Sequence, residues 1–459
     1  MDQTLHFDLP LINRYDKAGP RYTSYPTALE LHDGFTDTDY RQHIEKSNAA
    51  GGPLSLYVHI PFCDTVCFYC ACNKIVTKNR SHAQPYVDNL CKEIAMQGAL
   101  FDKNRVVNQL HWGGGTPTFL SYEQMQQVMT ATREHFFLKD DDSGEYSIEV
   151  DPRETNLHTV QQLRSLGFNR ISLGVQDFDP DVQKAVNRIQ SEAQTFAVLD
   201  AARKEGFRST NIDLIYGLPL QTVDSFNETL DKILHVSPDR FSIFNYAHIP
   251  SRFKTQRQIN DVDLPSPEVK LAILQSVGQK LADAGYVYIG MDHFAKPDDE
   301  LAIAQRQGLL HRNFQGYSTH SDCDLIGLGI TSIGMVGDAY SQNVKDLESY
   351  DKLISQGKLP VFKGVDLHED DKIRRAVIMQ LICHFECQFA AIEHALAIKF
   401  SDYFADELNA LKPMQADGLL TVNADGIQVL PAGRLLIRNI CMVFDRYLAQ
   451  KQQQFSRVI

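Results

Sequence analysis

No apolar run in this chain approaches the ~18 residues that a membrane-crossing helix needs, so no helical span and no membrane partner are expected. The opening MDQTLHFDLP carries acids and lacks the cationic stretch of a secretory leader, which points to a cytoplasmic protein. Basic residues are in the minority. Lys and Arg number 45 against 58 Asp and Glu, for a net charge of −13. A uniformly basic nucleic-acid face is therefore not expected, because such binding rests on cations that neutralise phosphates. An anionic small substrate would need a local basic pocket within this acidic surface. Low-complexity tracts and short repeats are missing as well. Nine cysteines in 459 residues, with no leader, read as reduced thiols rather than a disulfide framework.

What is present is an ordinary globular composition, 43% hydrophobic and 22% charged, long enough for more than one domain. Residues 1–50 are polar and turn-rich. NRYDKAGPRYTSYPTA, with prolines at 20 and 26, suits an extended, docked arm better than a helix. From residue 54 short apolar runs recur: LSLYVHI (54–60), NQLHW (108–112), YSIEV (146–150), RISLGV (170–175), TNIDLIY (210–216) and RFSIFNYA (240–247). Helical patterns such as QPYVDNLCKEIAMQGAL (84–100) and SEAQTFAVLDAARKEG (191–206) lie between most of them. That alternation predicts βα units and a mainly parallel sheet, best arranged as a partial (β/α)6 barrel. YVYIGMDHF (286–294) is a candidate seventh strand. Glycines and polar groups cluster after the strands, where a parallel barrel builds its site.

Beyond residue 365, DDKIRRAVIMQLICHF and SDYFADELNALKPM read as helices, GLLTVNADGIQVLPAG as a hairpin, and RLLIRNICMVFDRYL as another helix. Helices followed by a β wing are usually associated with DNA, but the acidic balance argues for a lid or support domain. The expected divisions are an arm (1–50), a barrel (51–300), a barrel extension and connector (301–364), and a mainly helical C-terminal domain with a β wing (365–459).

The chemistry concentrates in HIPFCDTVCFYCACNK. Cys63, Cys67 and Cys70 are spaced C-x3-C-x2-C, with Cys72 two residues on. Three thiolates on one short loop can hold three irons of a 4Fe–4S cluster and leave the fourth iron open. A zinc knuckle remains an alternative, although structural zinc usually draws a second ligand pair from a separate turn. Merely buried thiols remain another. His59 reads more readily as a hydrogen-bonded core histidine than as a metal ligand, and Cys383 and Cys387 as packing residues.

With HWGGGTPT after the second strand, the cysteine loop resembles the radical S-adenosylmethionine superfamily. Taken with the N-terminal RYDKAGPRYTSYPTA and with IEVDPRE, GVQDF, NIDLIYGLP, NYAHIP, GMDHFA and HRNFQGY, it resembles the oxygen-independent coproporphyrinogen III oxidases from about residue 12 onward. The resemblance implies oxidative decarboxylation of two propionates of coproporphyrinogen III to vinyls, giving protoporphyrinogen IX in haem synthesis. A 5′-deoxyadenosyl radical would carry the reaction, with an electron donor and an electron acceptor as partners and a monomer as the working state. It further implies that Cys63, Cys67 and Cys70 ligate the cluster, that Tyr57, Glu149 and Ile333 hold its S-adenosylmethionine, and that Tyr69 lies beside the loop. A second S-adenosylmethionine would meet Gly113, Gly114, Thr116, Gln176, Arg188, Asp213 and Ala247, with Phe314 and Gln315 lining the same cavity.

Read without the resemblance, Glu149 suits a salt bridge to Arg153, and Asp213 suits bland pairing as well as ligand binding. Ile189 stands where the family pattern leads one to expect an acid. The alternative function is a haem-binding or haem-delivery relative without oxidase activity. Such relatives usually lack a cysteine at the Cys72 position and the tyrosine-rich arm, and both are present here.

Overall fold

The computed structural model describes residues 5–448, so the ends of the expected arm and C-terminal domain, 1–4 and 449–459, lie outside the described residues. The chain divides into two compact units, each discontinuous in sequence. One comprises Glu30–Ser266 and Asp322–Asp366; the other comprises the residues up to Leu29, Pro267–Ser321 and those from Leu367 on.

The first unit carries the expected βα series. Its strands are β1 (Leu54–Ile60), β2 (Val106–Gly114), β3 (Glu145–Val150), β4 (Arg170–Gln176), β5 (Ser209–Tyr216) and β6 (Arg240–Asn245). They lie side by side, parallel and in chain order. β1 pairs on its other edge with the parallel β7 (Asp324–Leu328). From there β8 (Ile333–Val336), β9 (Ala339–Asn343) and β10 (Val361–Asp366) extend the sheet antiparallel. The barrel is thus a partial one with a mixed extension, because β7 occupies the β1 edge that closure onto β6 would require.

Strand residues alternate between two faces. One face is apolar and in register: Val58 opposite Trp112, Trp112 opposite Ile148, and Ile148 opposite Ile171. These residues are at most 2% exposed and share one core with helical residues such as Val87, Val128 and Val198. The other face is polar. Tyr57 and His59, His111, Ser147 and Glu149, Ser172, Asn211 and Asp213, and Ser242 follow one another across the six strands. The connecting helices start on side-chain caps (Ser121, Asn156, Ser191 and Thr222) that satisfy their first N–H groups.

Three expectations need correction. The segment 286–294 is not one strand but an antiparallel hairpin, Val287–Gly290 with His293–Ala295, because Met291 takes positive φ and turns the chain. The arm is not extended throughout: Leu9–Tyr15 is helical, capped by Asp8, and Asp37–Ala50 is helical behind a Thr36–Asp39 capping box. The wing has a third strand, Glu386–Gln388, and the last expected helix is regular only over Ile437–Met442. The arm residues Tyr22 and Tyr25 are almost fully buried and bond to Asp445 and to the Arg446 N–H. They pack within the second unit. Cys383 and Cys387 are buried in the same unit, as packing residues would be.

The first unit also encloses a carboxylate. Glu93 is 0% exposed and accepts hydrogen bonds from Gly329 N, Asn343 Nδ2 and the Tyr350 hydroxyl. Burial outweighs these donors and pushes its carboxyl up to about 7. The folded protein therefore binds a proton that the unfolded chain has released at the same pH. Stability is accordingly expected to fall as pH rises from about 4.5 to 7, by about 3 kcal/mol in all, from this group. Urea unfolding across that range measures the slope, which should flatten in Glu93→Gln; an unchanged slope would exonerate Glu93.

Candidate active site

The cysteine loop springs from the end of β1. Phe62–Cys63 pairs parallel with Ile75–Val76, which draws the two ends of the loop together. Its body is pinned by residues that follow β4 and β6 in the chain: Asn187 Nδ2 donates to Val66 O (2.8 Å), Thr255 Oγ1 to Cys70 O (3.2 Å), and Gln256 Nε2 to Tyr69 O (3.1 Å), while Gln256 Nε2 also reaches Ala247 O (3.2 Å). Phe68 and Tyr69 pack against a small apolar cluster that includes Val186 and Leu218. A loop held this way presents its thiols in one arrangement.

All four thiols are free. Thr116 Oγ1 lies 3.6 Å from Cys63 Sγ, while Arg188 Nη1 and Arg153 Nη2 lie 3.6 and 3.7 Å from Cys67 Sγ. Asp151 ties both guanidinium groups together, at 3.1 and 2.7 Å. Burial pushes the Cys63 thiol up to about 11, opposed by Thr116. A hydrogen bond from Cys72 lowers Cys70 despite burial, with Lys74 assisting, and raises Cys72 in turn. Cationic N–H donors aimed at thiolate sulfur, as Arg153 and Arg188 are at Cys67, fit an iron–sulfur cluster, whose potential such hydrogen bonds tune.

Beside the loop runs a chain of contacts along the polar face. Glu149 accepts from His111 Nε2 (3.0 Å) and Gly114 N (3.3 Å). The His111 ring stacks on Tyr57 at 5.9 Å. Tyr57 OH meets His59 Nδ1 (3.1 Å), and His59 Nε2 meets the carbonyl of Asn73 in the cysteine loop (3.1 Å). His59 is therefore a buried, hydrogen-bonded histidine. Glu149 pairs with His111 and not with Arg153. Burial pushes Glu149 toward neutrality, but the hydrogen bond and field of His111 outweigh it and hold the carboxyl below its ordinary value.

The glycines answer first to these side chains. A Cβ on Gly113 would sit 2.8 Å from the Glu149 carboxylate, and one on Gly114, at φ +115°, would meet the His59 ring at 2.6 Å. Ile333 begins β8 beside Gly327, the register partner of Tyr57. Farther along, Asp213 accepts from Ser172 and Asn211. Burial and the nearby Glu149 push its carboxyl up to about 6, against those hydrogen bonds and one from Ser242. Arg188 Nη2 donates to Gly174 O (2.5 Å), and its buried Nε has no partner among the described residues. Gln176 takes a left-handed φ of +70° at a register shift in β4, and such strain collects at ligand sites.

The first unit carries the three cysteines, Tyr57, Tyr69, Gly113, Gly114, Thr116, Glu149, Gln176, Arg188, Asp213, Ala247 and Ile333. Phe314 and Gln315 belong to the other unit, at the turn between His311–Asn313 and Gly316–Ser318. Sequence reasoning missed His111, Asp151, Ser172 and Asn211. Period-two polar alternation in strands that parallel sheets usually keep apolar was the available signal.

Comparison with known proteins decides the family. Residues 57–233 match the radical SAM superfamily, and 367–436 match the HemN C-terminal domain. The chain is 54% identical over 460 residues to an oxygen-independent coproporphyrinogen III oxidase of Pseudomonas aeruginosa, covering all of both chains. The chain belongs to the oxygen-independent coproporphyrinogen III oxidase family. An oxidase of this family from Escherichia coli K12 is 53% identical over 459 residues, covering 100% of this chain and 99% of its own. The solved coproporphyrinogen III oxidase (HemN) of Escherichia coli, described as a radical SAM enzyme, superposes with a TM-score of 0.92. It is 51% identical and covers 97% of this chain and 100% of its own.

Because Gly113 makes room for Glu149, Gly113→Ala is expected to displace that carboxylate while preserving the fold. S-adenosylmethionine affinity should drop about tenfold or more by equilibrium dialysis, with circular dichroism unchanged. Undiminished affinity would remove Glu149 from the binding site.

Proposed function

We propose that this chain carries out the oxygen-independent oxidative decarboxylation of two propionates of coproporphyrinogen III to vinyl groups, giving protoporphyrinogen IX in haem synthesis. The observation that carries this reading is the pinned three-thiol loop beside a polar strand face, in a chain that matches the oxidases end to end. Each propionate gives up a hydrogen atom, carbon dioxide and one electron to become a vinyl group, so an electron acceptor is required. When bound, the reduced cluster and S-adenosylmethionine supply the one-electron radical chemistry that removes the hydrogen atom.

The protein's own task is placement. Cys63, Cys67 and Cys70 hold the cluster, while Arg153, Arg188 and Thr116 aim N–H and O–H donors at two of its thiolates. Tyr57, Glu149 and Ile333 would receive the S-adenosylmethionine that works with the cluster. Gly113, Gly114, Thr116, Gln176, Arg188, Asp213 and Ala247 receive a second molecule. The donor set suits a zwitterion: carboxylates at Glu149 and Asp213 for ammonium and hydroxyl groups, and a guanidinium at Arg188 for a carboxylate. Tyr69 steadies the loop. The protein acts as a cytoplasmic monomer with a one-electron donor and a separate acceptor.

Anaerobic turnover of the cluster-reconstituted protein with coproporphyrinogen III, S-adenosylmethionine, reductant and acceptor tests the reading. A product lighter by two carboxyl groups is expected only when every component is present, and Cys67→Ala should abolish it along with S-adenosylmethionine cleavage. Cleavage without decarboxylated product would move the assignment to another substrate. Equilibrium dialysis should count two S-adenosylmethionine molecules on the wild type and one on Arg188→Ala; a wild-type count of one would retire the second site.

A further inference from the structure

Cations that the site above does not use gather along the backbone of the cysteine loop, all within the first unit. Lys74 Nζ and Thr255 Oγ1 donate to the same carbonyl, that of Cys70, at 2.9 and 3.2 Å. Lys254 and Arg257, both exposed, flank the pair Thr255–Gln256, whose side chains bond the loop at Cys70 and Tyr69. Thr77 N donates to the Cys63 carbonyl at 2.9 Å, which puts the exposed Lys78 one residue from that contact. Asn73 Nδ2 donates to the carbonyl of Lys345, also exposed, at 2.8 Å. Burial lowers the Lys363 ammonium and the charge of Lys345 adds to that shift, with Asp33 opposing.

None of these lysines, nor Arg257, forms an ion pair among the described residues. The acids of the same stretches are engaged elsewhere: Asp64 and Glu154 with Arg80, Asp261 with His248, and Asp346 with Ser349 N. Val76, between Lys74 and Lys78 in the chain, adds an apolar spot that is 42% exposed. In a chain of net charge −13, unmatched positive charge concentrated at one loop runs against the general surface. Such a field raises the encounter rate of an acidic partner and turns away a basic one.

Resting on the decarboxylase reading, we infer that these cations form the docking surface for an acidic one-electron carrier protein. The reading requires a donor, and the donor must come close to the thiols from outside. Cys63 and Cys70 each meet this surface through a single hydrogen bond from their carbonyls. The carrier loses one electron, the bound cluster gains it, and no atom is transferred. Electron-transfer encounters are small, burying less than about 1,200 Å², so a few exposed charges around an apolar spot are enough to hold one. The substrate carboxylates are the competing anion, and the test separates the two.

The test uses the full cluster-reconstituted chain as wild type and as a triple variant, Lys78→Glu with Lys254→Glu and Lys345→Glu. The control is Lys103→Glu, at an exposed position just ahead of β2, whose other end adjoins the loop. The probe is a flavodoxin, an acidic flavoprotein, titrated in its oxidised form by calorimetry at low and high salt. The triple variant is expected to bind it about tenfold or more weakly at low salt, with the gap closing at high salt. Lys103→Glu should stay within about twofold. S-adenosylmethionine cleavage driven by reduced flavodoxin should slow in parallel, while cleavage driven by dithionite should not. Equal flavodoxin affinity in wild type and triple variant overturns the inference, as does wild-type binding that is absent or indifferent to salt. A raised KM for coproporphyrinogen III under dithionite also overturns it, since the lysines would then meet the substrate. If the triple variant fails to fold, Lys345→Glu alone takes its place in the same titration. Flavodoxin binding that depends on the lysines, in a protein that makes no vinyl product, would remove the decarboxylase reading and keep the surface. Flavodoxin-driven vinyl formation indifferent to the lysines would do the reverse.

Discussion

The candidate site depends on keeping one carboxylate ionised in a crowded place. Glu149 achieves this with two donors, His111 Nε2 and Gly114 N, and its neighbours follow in a line. His111 stacks on Tyr57, Tyr57 bonds His59, and His59 bonds the Asn73 carbonyl. The line starts at the end of β3 and finishes inside the cysteine loop. Side-chain position on the strands and backbone position in the loop are thereby one problem. Networks of this kind are rigid when every member is satisfied and costly when one is not, so the glycines at 113 and 114 are as binding a constraint as the charged residues they accommodate.

A second device acts on the sulfurs themselves. Asp151 gathers Arg153 and Arg188 so that both point N–H groups at Cys67. Donors directed at thiolate sulfur stabilise the more negative, reduced cluster. Burial alone disfavours Asp151 as a charge, yet the two guanidinium groups overcome that and hold its carboxyl below the ordinary range. One acid thus fixes two cations that would otherwise repel each other across a narrow gap.

The six parallel strands and the place of the cysteine loop were legible because alternation and spacing are local patterns. LSLYVHI became a strand of the same bounds, and the five runs after it became β2 to β6. The candidate ligand cysteines stood out through C-x3-C-x2-C. Other features were illegible for physical reasons. The turn falls on Gly290 and Met291, and the positive φ of Met291 is one that its residue type does not announce. The burial of Tyr22 and Tyr25 depends on Asp445 and Arg446, more than 400 residues away. His111 and Asn211 become site residues only once neighbouring strands set their register. Gln176 and Ala247 carry no signal of their own, and only the family pattern singled them out.

The long-range ties of the arm also set an order of events during synthesis. Arg14 and Tyr15 bond Asp417, the Tyr15 carbonyl accepts from Asn439, and Tyr22 bonds Asp445. At roughly 5–20 residues per second, a ribosome needs tens of seconds to reach those partners after the arm has emerged. Throughout that interval the arm has none of these bonds. The strands and loop that present the thiols, by contrast, lie within Glu30–Ser266 and Asp322–Asp366, and have all left the ribosome before the last partners of the arm exist. The arm is therefore made early and settles late, and a nascent chain can display its cysteines while the arm is still waiting.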